Sequence, residues 1–212
     1  MTITIFTDNI KSWFLPYGKK LRVRLSGLGH EVKYVFNKKQ IRQGDICFLL
    51  SCSLLVDEDS LQLNRHNIVV HASDLPKGKG FSPLQWQILE GKNKITLTIF
   101  EVVKECDAGP YYFKSKVIFN GTELYDELRD KLANKIIEMC LKFVKNYKSL
   151  KAFAQSGKES FYPRRTLKDD ELDINKTIAG QFNHLRIADN ERFPVYFQFR
   201  GHKYILKIYK EK

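Results

Sequence analysis

No two of the four cysteines, Cys47, Cys52, Cys106 and Cys140, stand in a C-x-x-C spacing. That removes the usual redox and zinc motifs, and free thiols in a reducing compartment are the simple reading. No glycine-rich loop follows the first β-like run, Thr2-Ile3-Thr4-Ile5-Phe6; its exit is Thr7-Asp8-Asn9. A dinucleotide-binding fold wants G-x-G-x-x-G at that turn, because only glycines let a pyrophosphate approach the backbone. A nicotinamide cofactor is therefore disfavoured. The histidines show no ligand spacing, so no metal is expected. Nor is there an apolar run near the roughly 20 residues that span a bilayer, or a basic N-terminal stretch leading into a long apolar one. The expectation is a cytoplasmic protein with no membrane partner. Internal repeats and low-complexity segments are missing as well.

What the chain does have is positive charge. Its 212 residues carry a net +12, which favours anionic partners: nucleic acid, an acidic membrane face or a phosphorylated small molecule. The lysines are scattered, so a disordered basic arm is not expected. The length suits one domain, or a domain with an appendage, built on a real hydrophobic core.

Periodicity sketches the elements. Thr2–Phe6 alternates and reads as a strand. Trp13, Tyr17, Leu21, Leu25 and Leu28 form one helical face, with the regular helix beginning near Pro16 and ending at Gly29. Glu31–Phe36 is a second strand, and Asn37–Gly44 a turn or short helix. Asp45–Leu50 is apolar throughout after its acid, as in a central parallel strand covered on both faces. The segment from Ser51 to His66 is irregular, with apolar Leu54-Leu55-Val56 followed by acidic Asp57-Glu58-Asp59. Asn67–His71 is a further strand. A helix follows with Pro83 in its first turn and Gly91 beyond its end. Lys94–Glu101 and Tyr111–Phe119 are strands around a turn at Cys106–Pro110. Thr122 is placed to cap the longest helix, whose apolar stripe runs from Leu124 to Leu150; Glu127 with Lys131, and Glu138 with Lys142, are pairs four residues apart. Composition shifts at Ala154–Lys158. Beyond it lie a helix over Thr177–Ala188 and a hairpin of Pro194–Phe199 with Tyr204–Tyr209. The division drawn is a core over 1–154 and an extension over 155–212.

Chemistry concentrates at two turns. His71-Ala72-Ser73-Asp74-Leu75-Pro76-Lys77-Gly78-Lys79-Gly80 opens where a buried strand meets a loop, and Asp107 sits between two other strands. A histidine is poised for proton transfer near neutral pH, and a carboxylate can orient it. Ser73 is not in the G-x-S-x-G context of a hydrolase nucleophile. A plain nucleic-acid-binding domain is disfavoured, because the aromatics do not interleave with basic residues as on RNA-binding sheets.

These residues resemble a known family. His71-Ala72-Ser73-Asp74-Leu75-Pro76, then Gly80, Pro83, Trp86 and Glu90-Gly91, is similar to the formyltransferase pattern of histidine, any residue, serine, leucine-proline, then a glycine and a proline. Asp107-Ala108-Gly109-Pro110 resembles the family's second motif, at a fitting spacing. Tyr162-Pro163-Arg164-Arg165-Thr166 with Asp170 and Asp173 resembles an element of the members that formylate nucleotide-linked amino sugars. Gln181–Arg186 and the closing hairpin resemble the end of the catalytic domain. One position departs: where the family has an asparagine that stabilises the oxyanion, this chain has Val69. Asn67, Ser73 or a backbone N–H are the substitutes open to it.

The resemblance implies an α/β fold: a Rossmann-like, mostly parallel sheet flanked by helices, with a small C-terminal helix and β-hairpin. It implies an enzyme that moves a formyl group from the co-substrate N10-formyltetrahydrofolate to a primary amine. His71 would be the base, Asp107 its partner and Ser73 a third contributor. Leu50, Cys52, Asp107 and Gly109 would hold the folate. Lys77, Gly80, Tyr162, Arg164 and Arg165 would hold a UDP- or dTDP-linked amino-dideoxyhexose, with Phe161 or Tyr162 stacked on the base; Arg164 pairing only with Asp170 is the plain alternative. A homodimer through the hairpin or the long helix fits the pattern. Two other outcomes stay open: formylation of an aminoacyl-tRNA, for which the chain lacks the extra C-terminal domain of the tRNA-modifying relatives, and a protein that kept the fold but lost the reaction at Val69.

Overall fold

The computed structural model describes residues 1–52 and 57–211; the apolar Leu54-Leu55-Val56 lies outside them. In chain order the elements are β1 (Thr2–Phe6), α1 (Leu15–Gly27), β2 (Glu31–Val35), β3 (Gly44–Leu49), α2 (Glu58–Gln62), β4 (Asn64–His71), β5 (Lys79–Gly80), α3 (Pro83–Leu89), β6 (Lys94–Glu101), β7 (Tyr111–Ile118), α4 (Tyr125–Asn146), β8 (Phe161–Tyr162), α5 (Phe182–Arg186), β9 (Val195–Phe199) and β10 (His202–Leu206). The main sheet has six strands in the order β2-β1-β3-β4-β6-β7. The first four run parallel, and β6 and β7 are added antiparallel. This is the mostly parallel α/β sheet that the resemblance implies, with the apolar run through Leu49 as a central parallel strand.

The central strands are covered on both faces. Along β3, Ile46 and Phe48 join the large apolar cluster, whereas Cys47 and Leu49 join a second one with Phe6, Val35 and Ile41. That alternation is the two-residue period of a strand buried on each side. The large cluster is closed by Leu21 and Leu25 of α1 and by the α4 stripe through Leu128, Leu132, Ile136, Cys140 and Phe143. Tyr17 and Lys20 of α1 reach Asp130 and Asn134 of α4, so the two helices lie side by side.

Several local expectations change. Strand β4 starts at Asn64, because Gly44 and Asn64 already pair in the parallel ladder with β3. Thr122 does not cap α4; the Leu124 amide there is satisfied by Glu127 reaching back at 2.8 Å. Glu127 is then shared with Lys210, and Lys131 pairs with buried Glu123 instead of Glu127. Lys135, not Lys142, meets Glu138. The helix expected over Thr177–Ala188 is only the short α5 after a single 3₁₀ turn at Ala179–Gln181. Ile178, assigned to its apolar face, is exposed, and the Thr177 hydroxyl accepts the Gly180 amide in a local turn.

Residues after 150 return to the sheet. Phe153 and Tyr111 exchange backbone hydrogen bonds of 2.8 and 2.9 Å, and β8 pairs in parallel with β5. Arg186 of α5, 1 % exposed, ties this part to the loop before α4 through Glu123 and to the turn before β6 through Asn93. Among the described residues, no helix is long and apolar enough to cross a membrane.

Candidate active site

His71 closes β4 and is 9 % exposed. Its Nε2 lies 2.8 Å from the Gly78 carbonyl. A carbonyl only accepts, so Nε2 carries the hydrogen, and in the neutral ring the lone pair belongs to Nδ1. That nitrogen faces Asp107 Oδ2 at 3.8 Å. The Asp107 carboxylate also accepts the Gly80 amide at 2.9 Å. The two turns singled out in the sequence therefore meet: Asp107 reaches both the imidazole and the loop that follows it.

The loop between them is held closely. Gly78 donates to Ser160 Oγ at 2.9 Å, fixing the carbonyl that orients His71. Gly80 has φ +96°, and a Cβ there would lie 2.4 Å from the Tyr162 carbonyl, so β5 and β8 approach more closely than any side chain permits. Lys79, 3 % exposed, is neutralised by Glu159 at 2.6 Å. Thr98 on β6 donates to the Ser73 carbonyl at 2.7 Å. The Ser73 hydroxyl itself is buried and has no partner among the described residues.

Asp107 has φ +51°, unusual for a residue with a side chain. Its carbonyl and that of Gly109 accept the Gln155 amide at 2.9 and 2.7 Å. A Cβ on Gly109 would fall 1.7 Å from the Glu101 carbonyl, so the turn is pressed against β6. Partial burial pushes the Cys106 thiol up, and the adjacent Asp107 carboxylate adds to this. Burial likewise raises Cys52, whose Sγ lies 3.5 Å from the Phe6 carbonyl. Neither thiol is poised as a thiolate nucleophile.

The structure sorts the other residues named from sequence. Leu50, 2 % exposed, follows β3, the neighbour of β4, and is core. Lys77 is exposed. Tyr162 donates from its hydroxyl to Glu90 at 2.9 Å and lies nearly parallel to Trp86. Phe161 is exposed beside Lys79. Arg164 rests over the Phe81 ring at 4.3 Å. Arg165, not Arg164, engages buried Asp170. Val69 packs against the Phe6–Leu49 cluster, and the Asn67 amide is spent on the Leu61 carbonyl at 2.8 Å. Gln155, Ser160 and Glu159 escaped the sequence reading; the only signal there was the composition shift at Ala154–Lys158.

Comparison with known proteins bears on the same residues. Residues 31–143 match a family model described as formyl transferase. A methionyl-tRNA formyltransferase from Thermosipho melanesiensis is 33 % identical over 120 residues, covering 57 % of this chain and 39 % of that protein. The chain spans about half the length of the curated relatives it matches. Among solved structures, methionyl-tRNA formyltransferase from Clostridium thermocellum superposes with a TM-score of 0.84 at 19 % identity, covering 100 % of this chain and 94 % of that one. A sugar N-formyltransferase from a Shewanella species gives 0.74 at 13 % identity, covering 100 % and 98 %. Those two structures share the fold. With more than half of the chain inside the matched family model, and both His71 and Asp107 within it, this chain belongs to the formyl transferase family.

Proposed function

We propose that this chain transfers a formyl group from N10-formyltetrahydrofolate to the primary amine of a nucleotide-linked amino sugar. The observation that carries the reading is the meeting of His71 and Asp107 at the end of β4. The folate supplies an activated formyl carbon: as the amine bonds to it, the N10–formyl bond breaks and N10 takes a proton, so that tetrahydrofolate leaves. The attacking amine must lose a proton, and His71 Nδ1, whose lone pair is left free by the Nε2 contact to Gly78, accepts it. Asp107 Oδ2 then stabilises the charged ring and keeps its orientation. Leu50, Cys52, Asp107 and Gly109 are the proposed folate-side residues, with backbone groups and a partly apolar wall suited to a flat heterocycle. The loop after Cys52 lies outside the described residues.

Support for the acceptor comes from the rim beside Gly80. Phe81, Trp86, Phe161 and Tyr162 supply aromatic surface, and Arg164 and Lys77 make no ion pair among the described residues. A guanidinium on an aromatic face, and an unpaired ammonium on the loop that leads to Gly80, suit a pyrophosphate attached to a base. Arg165 is already committed to Asp170 and is assigned a supporting role. The curated relatives favour a second reading, an aminoacyl-tRNA acceptor, because they are methionyl-tRNA formyltransferases. We also propose a homodimer through the C-terminal hairpin, where Phe199, Tyr204, Ile205 and Leu206 are exposed, and action in the cytoplasm, which free cysteines support.

The test is tetrahydrofolate release, followed by absorbance, with a panel of UDP- and dTDP-linked amino sugars and a formyl-acceptor tRNA. Turnover on a sugar supports the acceptor, and turnover on tRNA alone replaces it. H71A should lose about two to four powers of ten in kcat; near-normal turnover in folded H71A sinks the assignment.

A further inference from the structure

Asp107 must hold a left-handed backbone conformation while presenting its carboxylate to both Gly80 and His71. Local sequence does not enforce that conformation, since aspartate adopts it at a cost. What stands against the turn is a side chain 48 positions away in the chain. Gln155 belongs to no helix or strand, and its neighbours Ala154, Ser156 and Gly157 are exposed. Its own side chain turns inward. Nε2 donates to the Asp107 and Gly109 carbonyls, which flank Ala108. Both partners are acceptors, so the amide has only this orientation. Oε1 is then left buried without a partner among the described residues. A side chain present merely to fill space would need no amide, whereas this one commits its nitrogen to two carbonyls of the turn.

We propose that Gln155 is a positioning residue for the reaction: its amide pins the turn on both sides of Ala108 so that Asp107 Oδ2 stays aimed at His71. The kinetic part of this inference rests on the formyl-transfer reading; the geometric part does not. Without the amide, two carbonyls lose their donor, the turn relaxes and the carboxylate drifts from the imidazole. A displacement on the ångström scale at such a pair costs about a hundredfold in rate.

The variant Gln155→Met keeps length and removes the donor. It should melt as a folded protein and show kcat reduced about ten- to hundredfold, with KM for N10-formyltetrahydrofolate within about twofold of the parent. In an Asp107→Asn background the same change should cost less than about twofold, because the two residues act as one unit. Imidazole NMR signals of His71, assigned with a His71→Gln variant, should move in Q155M toward their positions in D107N. Parental kcat in Q155M, an equal loss in the D107N background, or unmoved His71 signals would each overturn the proposal. Should the parent protein turn over no acceptor, the formyl-transfer reading fails and the NMR comparison alone decides the role of Gln155. If Q155M does not fold, Gln155→Asn, whose amide is one methylene short, is taken through the same comparisons with the same deciding results.

Discussion

Val69 stands two residues before His71 on β4, at the place where an asparagine is expected from the resemblance. Its side chain packs against the apolar cluster that contains Phe6, Cys47 and Leu49 and has no hydrogen to give an oxyanion. Of the substitutes weighed from sequence, Asn67 is removed: its amide already serves the Leu61 carbonyl. Ser73 has an uncommitted hydroxyl, but that hydroxyl is buried. Under the formyl-transfer reading, Val69→Asn should raise kcat by about tenfold or more, since one oxyanion donor is worth that much or better. It should also lower stability by about 1–3 kcal/mol, because a polar group enters an apolar cluster. Steady-state kinetics and thermal melting on the same preparation check both. Unchanged kcat would mean that another donor already fills the role.

At the scale of elements, the pairing of β5 with β8 decides how the site closes. Two residues from each strand bring Gly80 against Tyr162, and the same Gly80 amide caps Asp107. Gly80→Ala should therefore act twice. The added methyl collides with the Tyr162 carbonyl and opposes φ +96°, and any shift that relieves the clash withdraws the amide from Asp107. The expected result is a destabilisation of about 1–3 kcal/mol, read by denaturant unfolding, with a larger fractional loss in kcat than in folate binding. Elements with a clear period were legible beforehand. Strands β1 and β6 begin and end where alternation does, and the α4 stripe is the buried face of that helix. The turn residues His71 and Asp107 were legible because their chemistry is distinctive. β8, Gln155 and Ser160 were not, because their partners lie 46 to 82 positions away. A side-chain amide on a distant carbonyl leaves no local pattern. The α5 region was overextended because Ile178 satisfied a helical spacing that the fold leaves in solvent.

Across the whole molecule, the sheet and the C-terminal part are joined by a buried charge network. Glu123, 2 % exposed, pairs with Lys131 at 2.5 Å and Arg186 at 3.4 Å. It also accepts the Asn120 amide at 2.8 Å. Burial pushes this carboxyl up, but Lys131 and the backbone donors outweigh it and lower it from 4.5 to about 2. A carboxyl depressed in the folded state binds fewer protons there than in the unfolded chain. Its contribution is thus complete above pH 4.5 and is lost as pH falls towards about 2. The amount is on the order of 3 kcal/mol, or a drop of roughly 6–12 °C in Tm for a chain of this size. Melting followed across that window should show the loss, and Glu123→Gln should flatten it while lowering stability at neutral pH.

The stretch from Phe153 to Tyr162 looks like a linker: polar, exposed over 156–159 and containing a glycine. Yet it is fastened at Phe153 to Tyr111, at Gln155 to Asp107, at Glu159 to Lys79 and at Ser160 to Gly78. Between Gln155 and Glu159 the exposed side chains of Ser156 and Lys158 are free to change, while Gly157, at φ +107°, and the number of residues are not. The segment works as a ruler, setting how far apart two fixed points of the site can stand. Substitution at Ser156 and Lys158 should be accepted and insertion beside them rejected, the reverse of what the composition suggests.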